Sequence, residues 1–429
     1  MLIEFSVGNY LSFKDKVTLS MVASSDKSMP ENVIESAQGT KLNLLKTTAL
    51  YGPNASGKSN FLKALNFMRW FIIRSSREGQ IGDEIEVTPF KLDLSYLNKP
   101  SEFEITFLKD GVRYSYGFKV DRKRVYEEWL YSYPLKKPRV LFDRKFDEKN
   151  PFYFGPNWEG ESETLSTKTR DNALFLSVAA QWNNKLAQTI LRWFFDQLNN
   201  LYPLPTISSE QFFTITRAHK DPELKQKINK FLKVSDLGIK YFETKEIPFF
   251  ETKEWLETPE EVKNRILKGI PEGEKPGSID FDFIHKGLDT KREEVEVIFK
   301  VTEESDGTQK IFSLAGPWIF VLEKGLTLIA DELDVRLHPQ LTTWLISMFH
   351  DKNINKKGAQ LIFATHDSGL LDQKLFRRDQ IWFTEKNPEG ATDLYSLWEI
   401  KNIRKDENFR KGYISGRYGA IPFLGDFEL

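Results

Sequence analysis

The sequence contains no cysteine, few histidines and no long uninterrupted apolar run, and each shortage excludes a class of protein. Without cysteine there are no disulfides, thiolate metal sites or cysteine nucleophiles. The five histidines are scattered without the spacing of a metal site. The N-terminus lacks the basic and apolar regions of a signal peptide, and the other apolar stretches are too short or too charged to span a bilayer. We therefore expect a cytoplasmic protein with no membrane partner.

The chain also lacks an excess of charge of either sign. Its 61 Lys and Arg residues against 62 Asp and Glu give a net charge of −1, so any nucleic-acid contact must depend on a local basic patch. A hydrophobic fraction of 40% and a charged fraction of 29% are typical of a globular protein. A length of 429 residues is enough for two or three domains.

The order of patterns along the chain predicts an α/β protein with an insertion. Alternating residues in 2–22 and 85–131 predict strands of an antiparallel β-subdomain, and a buried strand, a Gly-rich loop and a helix lie between them. Helical periodicity dominates the middle of the chain, after which "EEVEVIFKV" indicates that the core resumes. We assign 1–134 to the first half of the core, 135–290 to an inserted, mainly helical lobe, and 291–429 to the second half of the core.

"GPNASGKS" matches the phosphate-binding pattern G-x-x-x-x-G-K-[ST] at every fixed position. In this pattern glycines let backbone N–H groups surround phosphate oxygens at a helix N-terminus, while the lysine contacts the β- and γ-phosphates. The alternative is a Gly-rich turn without function, but a strand before the loop and a helix after it favour the phosphate site. We expect Ser59 to ligate Mg²⁺, and the ATP-binding residues to be Gly52, Pro53, Asn54, Ala55, Ser56, Gly57, Lys58, Ser59 and Asn60.

Two further buried strands each end in a polar residue. "LTLIADE" ends in Asp331, which is expected to hold Mg²⁺, and Glu332, which is placed to polarise the attacking water. "IFATHDS" brings His366 to the end of a strand that should lie beside the other two, where an imidazole can hydrogen-bond the γ-phosphate. A lone histidine is more often structural, so this assignment depends on that neighbouring position.

The turn "ESDGTQK" allows two interpretations. It is either an ordinary solvated turn or a second anion site, in which a Ser hydroxyl and glycine amides lie at a helix N-terminus. Because the chain already has one phosphate loop, a second anion site would need a second molecule.

More than half of the chain separates Lys58 from Asp331, and this order of motifs resembles the ABC-type ATPases of the SMC–RecF–OLD branch. The resemblance implies a P-loop ATPase head with a mixed central sheet, an antiparallel β-subdomain and an inserted lobe. It also implies a signature loop in which Ser305, Gly307 and Gln309 bind the ATP held by the opposite subunit of a homodimer or higher homo-oligomer. Asp334, in "DELDVRLHP", then belongs to the D-loop at the dimer seam. No Q-loop glutamine can be assigned, since Gln80 lies too early.

"FSVGNYLSF", "DELDVRLHP" and a terminal "GRYGAIP" are more narrowly similar to the stand-alone ATPases of anti-phage operons, the RloA/AbiL-like group. That resemblance implies a Mg²⁺-dependent ATPase that switches a separate effector, either a nuclease or a toxin. The alternative is a RecF-like, ATP-gated DNA clamp. We expect no nuclease activity from this chain, because too few residues follow His366 for a nuclease domain. The basic tail, with Phe409, Tyr413 and Tyr418, is either a contact for nucleic acid or protein or a solvated face.

Overall fold

The computed structural model describes residues 1–134, 137–201, 209–248, 258–260, 263, 277–372, 374–404, 407–422 and 425. The chain divides into two compact units: Met1–Tyr202 with Val321–Val335 and Thr342–Leu429, and Pro203–Phe320 with Arg336–Leu341. Within the described ranges, no helix is long and apolar enough to cross a membrane.

Strands and helices are numbered here along the chain. The strands are β1 (Leu2–Gly8), β2 (Val17–Ser20), β3 (Val33–Ile34), β4 (Leu44–Leu45), β5 (Thr47–Tyr51), β6 (Ser101–Lys109), β7 (Val112–Val120), β8 (Val125–Tyr133), β9 (Arg139–Lys145), β10 (Phe152–Phe154), β11 (Leu198–Leu201), β12 (Ile239–Pro248), β13 (Gly277–Leu288), β14 (Glu294–Phe299), β15 (Thr327–Ala330), β16 (Gln360–Ala364), β17 (Ile381–Lys386) and β18 (Thr392–Ser396). The helices are α1 (Lys58–Arg74), α2 (Ser162–Thr167), α3 (Phe175–Gln181), α4 (Lys185–Gln197), α5 (Ser209–Lys220), α6 (Pro222–Val234), α7 (Asp306–Lys324), α8 (Pro339–His350) and α9 (Phe409–Ile414).

The first unit contains a six-stranded sheet in the order β11-β15-β16-β5-β17-β18. Its first five strands are parallel, and only β18 runs antiparallel to its neighbour β17. Every residue of β5, β15 and β16 is buried, as expected for strands covered on both faces. Because these three strands are parallel neighbours, their carboxyl ends meet at one edge of the sheet.

The same unit contains a seven-stranded antiparallel sheet in the order β10-β9-β8-β7-β6-β1-β2. Alternate residues of β6, among them Phe103 and Phe107, are fully buried. Phe5 of β1 meets Phe61 of α1 edge-on, with ring centroids 5.3 Å apart, so the helix after the phosphate loop packs on this sheet. Burying each such side chain contributes about 1.5–3 kcal/mol. The predicted α/β class, with a mixed sheet and an antiparallel β-subdomain, is confirmed.

The predicted start of the inserted lobe at residue 135 is wrong. β9 pairs with β8 and β10 pairs with β9, so 139–154 continue the antiparallel sheet. α3 and α4 contact α1 and belong to the same unit. The buried carboxylate of Glu128 on β8 accepts the backbone N–H groups of Phe175 and Leu176 at 2.6 and 2.9 Å, and so ties the start of α3 to the sheet. The helices that the periodicity predicts in this region are present as α3 and α4. Periodicity alone, however, cannot show which unit a helix joins.

The second unit combines α5, α6 and most of α7 with a three-stranded sheet in the order β12-β13-β14. Phe281 and Phe283 of β13 pack on Phe312 of α7, with ring centroids 5.0 and 4.9 Å apart. The strand predicted from "EEVEVIFKV" exists as β14, but it pairs with β13 in this unit and does not return to the core sheet. Its residues are exposed or only half-buried, which is typical of an edge strand.

Candidate active site

The phosphate loop lies between the end of β5 and the start of α1 and is packed against β17 and β18. Gly52 and Gly57 have φ angles of 152° and 117°, and a Cβ on either would collide with Thr384 or Thr392 respectively. The Ser56 and Thr384 hydroxyls lie 2.6 Å apart, and Thr392 Oγ1 donates to the Ser56 carbonyl at 2.7 Å. Glycine is therefore needed at both positions for two reasons: a side chain would collide with the neighbouring threonine, and the positive φ angle disfavours other residues.

The remaining loop residues differ in their exposure. Asn54 and Ala55 are exposed at the tip of the loop, whereas Ser56 and Lys58 are buried and Pro53, Ser59 and Asn60 are half-buried. Asn60 donates to the Ser12 hydroxyl at 2.9 Å, so its amide supports the loop from below. No side chain caps α1, since its N-cap is Gly57. The first backbone N–H groups of α1 are therefore not occupied by a capping side chain and can bind the anion that the motif predicts.

Lys58 is buried beside acidic residues. Its ammonium donates to the carbonyl oxygens of Gly52 at 2.7 Å and Pro53 at 3.1 Å. Burial lowers the pKa of Lys58 from 10.5 to about 8, and the carboxylates of Asp331, Asp334 and Glu332 oppose that shift. These three acidic side chains and Lys58 therefore lie close enough to interact electrostatically.

Asp331 and Asp334 each bury a carboxylate oxygen that has no hydrogen-bond partner in the part of the chain that the structure describes. Oδ1 of both residues is inaccessible to solvent and makes no hydrogen bond to any described residue. The other oxygen of Asp334 accepts the backbone N–H of His366 at 3.3 Å. An unpaired buried carboxylate oxygen is costly, and oxygen ligands are those that Mg²⁺ prefers. The residues therefore fit a divalent cation, with Asp331 and Ser59 as the ligands that the motifs predict.

Glu332 and His366 complete the group at this edge of the sheet. Glu332 has a φ of 50°, an uncommon conformation for a residue other than glycine. Burial and then the charge of Lys58 lower the pKa of His366, while Asp334, Glu332 and Asp331 oppose the shift. A lowered pKa keeps the imidazole neutral, with one N–H available as a hydrogen-bond donor.

The sequence patterns gave no sign of Tyr51, although it is the last residue of β5 and interacts electrostatically with Asp334. Its side chain is fully buried, and its hydroxyl makes no hydrogen bond to any residue that the structure describes. Burial, followed by the charges of Asp367 and Asp334, raises the pKa of Tyr51 well above its usual value. Ser12, which supports the phosphate loop, was missed in the same way. Tyr51 could have been suspected only because it immediately precedes Gly52.

The predicted signature residues lie in the second unit. Ser305 immediately precedes α7, and its hydroxyl accepts the backbone N–H of Thr308 at 3.2 Å, as an N-cap does. Ser305 is exposed, while the amide of Gln309 donates back to the carbonyl of Glu304 at 3.0 Å. A Cβ on Gly307 would lie 2.9 Å from the carbonyl oxygen of Arg336. The turn therefore presents the Ser305 side chain to solvent at a helix N-terminus, and the Gln309 side chain is held by the backbone.

Residues 47–372 match the family described as "AAA domain, putative AbiEii toxin, Type IV TA system". The chain belongs to this family. The AbiEii-type match contains the phosphate loop, the strand ending in Asp331 and His366, so the chain is a P-loop ATPase in general type. No curated protein matches the chain.

Among solved structures, heads of SMC proteins are similar to this AbiEii-type chain at low identity. The SMC head domain from Thermotoga maritima is 12% identical, with a TM-score of 0.39, over 92% of this chain and 98% of that chain. The Smc head of Pyrococcus furiosus with an extended coiled coil, bound to the C-terminal domain of ScpA, is 11% identical, with a TM-score of 0.42, over 92% and 96% of the two chains. The Smc head of Pyrococcus yayanosii with a coiled coil and joint is 10% identical, with a TM-score of 0.39, over 97% and 99%. These values are too low to assign a function.

Proposed function

We propose that this chain is a Mg²⁺-dependent ATPase that pairs around ATP and acts in the cytoplasm as a nucleotide-gated switch for a separate effector. The observation that carries the proposal is the group at the carboxyl edge of β5, β15 and β16. There the charge of Lys58 is coupled to Asp331, Glu332 and Asp334, and His366 is coupled to the same residues. A cation, three carboxylates and a neutral imidazole at a phosphate loop suit phosphoanhydride hydrolysis.

Each residue then has a distinct role. Lys58 would leave the carbonyls of Gly52 and Pro53 to bind the β- and γ-phosphates. Ser59 and Asp331 would hold Mg²⁺, which when bound would neutralise phosphate charge. Glu332 orients and polarises the attacking water, while His366 donates a hydrogen bond to the γ-phosphate.

Dimer formation follows from the signature turn. Ser305 is exposed at the N-terminus of α7, where its hydroxyl and the positive end of the helix dipole would form an anion site. Because Lys58 already supplies a phosphate site in each chain, we assign Ser305, Gly307 and Gln309 to the ATP of a second copy, with Asp334 at the seam. Gln309 would have to release the Glu304 carbonyl to take part.

The output that we propose is control of an effector in anti-phage defence. The family description, which names a type IV toxin–antitoxin system, and the RloA/AbiL-like resemblance both support this setting. The second unit is the candidate surface for the trigger or effector, because β14 runs directly into the signature turn. ATP can change partner binding only if the partner binds the ATP-bound and the nucleotide-free states with different affinities. A partner that binds with equal affinity to the ATP-trapped Glu332→Gln variant and to the nucleotide-free protein would therefore contradict the proposed switch. Tight, ATP-dependent binding of duplex DNA alone would favour the clamp alternative.

Mixing two inactive variants tests the shared site. Ser305→Arg and Lys58→Ala should each lack ATPase activity, and mixed dimers should contain one complete site and one with neither residue. Random mixing should then restore about a quarter of the wild-type activity, because half of the dimers are mixed and each has one working site of two.

Thr302→Arg is the matched control for this experiment, because it adds the same charge to an exposed residue of the preceding turn. It should retain activity without mixing. If mixed dimers form but no activity returns, the signature assignment is wrong and the turn is an ordinary surface feature.

A further inference from the structure

The Ser56–Gly57 peptide of the phosphate loop is hydrogen-bonded to the hairpin of β17 and β18. Thr392, the first residue of β18, is only 2% exposed, and its Oγ1 donates to the Ser56 carbonyl oxygen at 2.7 Å. A Cβ on Gly57 would lie 2.4 Å from the same Oγ1. The peptide therefore lies directly against β18.

The Thr392 side chain is itself fixed by Ser12. The Thr392 hydroxyl has one proton, which it gives to Ser56 because a carbonyl oxygen can only accept. The Ser12 hydroxyl, 2.9 Å from Thr392 Oγ1, is left available to donate to it, and Ser12 Oγ accepts from the Asn60 amide at 2.9 Å. The backbone N–H of Thr392 also donates to the Ser12 carbonyl at 2.7 Å. Ser12 thus holds both the backbone and the hydroxyl of Thr392.

The turn that carries Ser12 has an uncommon backbone conformation. Asn9 and Leu11 have φ angles of 47° and 50°, in the left-handed region. The Asn9 amide nitrogen donates to the carbonyl oxygens of Tyr96 and Lys99 at 3.0 and 2.8 Å. Residues in this region persist where surrounding contacts fix them, and they are concentrated at functional sites. These contacts therefore hold Ser12 in one position.

The orientation of the Ser56–Gly57 peptide matters for an anion site. In a planar trans peptide the carbonyl oxygen and the following N–H point in opposite directions. Because the Ser56 carbonyl points to Thr392, the Gly57 N–H points away from β18. Glycine is conformationally permissive, so without that hydrogen bond the peptide could turn over and exchange the two groups. A carbonyl oxygen would then replace an N–H where the motif places the phosphates, and it would repel them.

We propose that Thr392 is a positioning residue for nucleotide binding, which fixes the Ser56–Gly57 peptide with its N–H toward the phosphates. The proposal rests on the proposed binding of ATP by the phosphate loop, and not on dimer formation or effector control. Because the hydrogen bond is made to the loop, its loss should weaken ATP binding and leave the chemical step unchanged. Loss of one hydrogen bond of this kind corresponds to about three- to tenfold weaker binding.

The test separates the hydroxyl of Thr392 from the shape of its side chain. Thr392→Val keeps the shape and lacks the hydroxyl, while Thr392→Ser and Thr392→Ala differ from each other only by a hydroxyl. Ser396→Ala is the matched control, because Ser396 is 4% exposed and lies at the other end of β18. Its hydroxyl oxygen accepts the backbone N–H of Trp398 at 3.1 Å.

Calorimetric titration with ATP and Mg²⁺ would give Kd, steady-state hydrolysis would give kcat, and thermal unfolding would show that each variant is folded. We expect Kd to rise about three- to tenfold in Thr392→Val and Thr392→Ala. Thr392→Ser and Ser396→Ala should bind within twofold of wild type, and kcat should stay within twofold throughout. If Thr392→Val does not fold, the comparison of Thr392→Ser with Thr392→Ala decides the question.

Three results would overturn the proposal. The first is wild-type Kd in a folded variant that lacks the hydroxyl. The second is an equal rise in Kd in Thr392→Ser or Ser396→Ala, which would assign the effect to packing of the hairpin. The third is a fall in kcat at unchanged Kd, which would place the effect in the chemical step. Wild-type protein that does not bind ATP would instead contradict the proposed function, and this proposal with it.

Discussion

His350 should make the folded protein sensitive to acid, because it is buried in a neutral form beneath the phosphate-loop strand. Its side chain is only 7% exposed, and its Nε2 lies 2.8 Å from the Thr47 hydroxyl. Gln380 donates to the same hydroxyl at 2.6 Å, which leaves the Thr47 proton available for donation to a neutral His350 Nε2. Burial, and secondarily the charge of Lys46, lower the pKa of His350 from 6.5 to about 3.

The size and sign of the effect follow from that pKa difference. The pKa of this histidine is lower in the folded state than in the unfolded state. Its contribution to stability is therefore fully present at pH values above the unfolded-state pKa. The contribution is lost as pH falls toward the folded-state pKa. Here the loss extends from 6.5 down to about 3. Each pH unit in this interval costs about 1.4 kcal/mol, so about 2 kcal/mol of unfolding free energy should be lost between about pH 7 and pH 5.

Urea unfolding of wild type and His350→Gln across this pH interval measures the effect. Gln has a carbonyl that can accept from Thr47 but does not titrate, so the variant should lack the loss assigned to His350. Imidazole NMR signals would show directly that His350 does not titrate in this range. His338→Gln is the control, because His338 is exposed. Parallel pH dependences of wild type and His350→Gln would refute the reasoning.

Three substitutions test the candidate site. Lys58→Ala should abolish ATP binding. Glu332→Gln should bind ATP but hydrolyse it about 10²–10⁴ times more slowly, because it lacks the water-polarising carboxylate. Hydrolysis by Glu332→Gln at the wild-type rate would contradict that role. His285→Ala should lower kcat about three- to tenfold without changing the Kd of ATP, because His285 Nε2 lies 2.5 Å from the carboxylate of Glu304, the residue before Ser305. Wild-type kcat in this variant would show that the contact does not position the signature turn.

The elements around the phosphate site could be predicted because each depends on local sequence. A buried strand precedes each of Lys58, Asp331 and His366, and for Lys58 the Gly-rich loop lies between. Parallel strands bring their carboxyl ends together, and the structure places β16 between β15 and β5, as needed for these residues to meet. The lowered pKa of Lys58 could not be predicted, because burial of its side chain depends on the complete packing of the loop.

The contacts missed from sequence join residues that are distant along the chain. The Tyr413 ring meets the Tyr51 ring, and Thr392 supports Ser56, but neither pair has a periodicity or spacing that a single sequence reveals. The pairing of β14 could not be predicted for the same reason. The alternation of apolar and polar residues identifies the strand, but its pairing with β13 depends on tertiary packing. The burial of Phe409 and Tyr418 could not be predicted, because aromatic residues near basic residues do not show which way a ring points.

The charge balance at the site gives a physical reason for the proposed use of Mg²⁺ together with ATP. Asp331, Glu332 and Asp334 all act on Lys58 and on His366, and the charge of Lys58 also acts on His366. These carboxylates help to keep the Lys58 ammonium protonated despite its burial, but they also repel a polyphosphate. A divalent cation reverses that repulsion, because it is attracted to the same carboxylates and to the phosphates. The acidic side chains thus favour the metal-bound nucleotide, while the uncapped start of α1 and Lys58 supply the positive field for the phosphates.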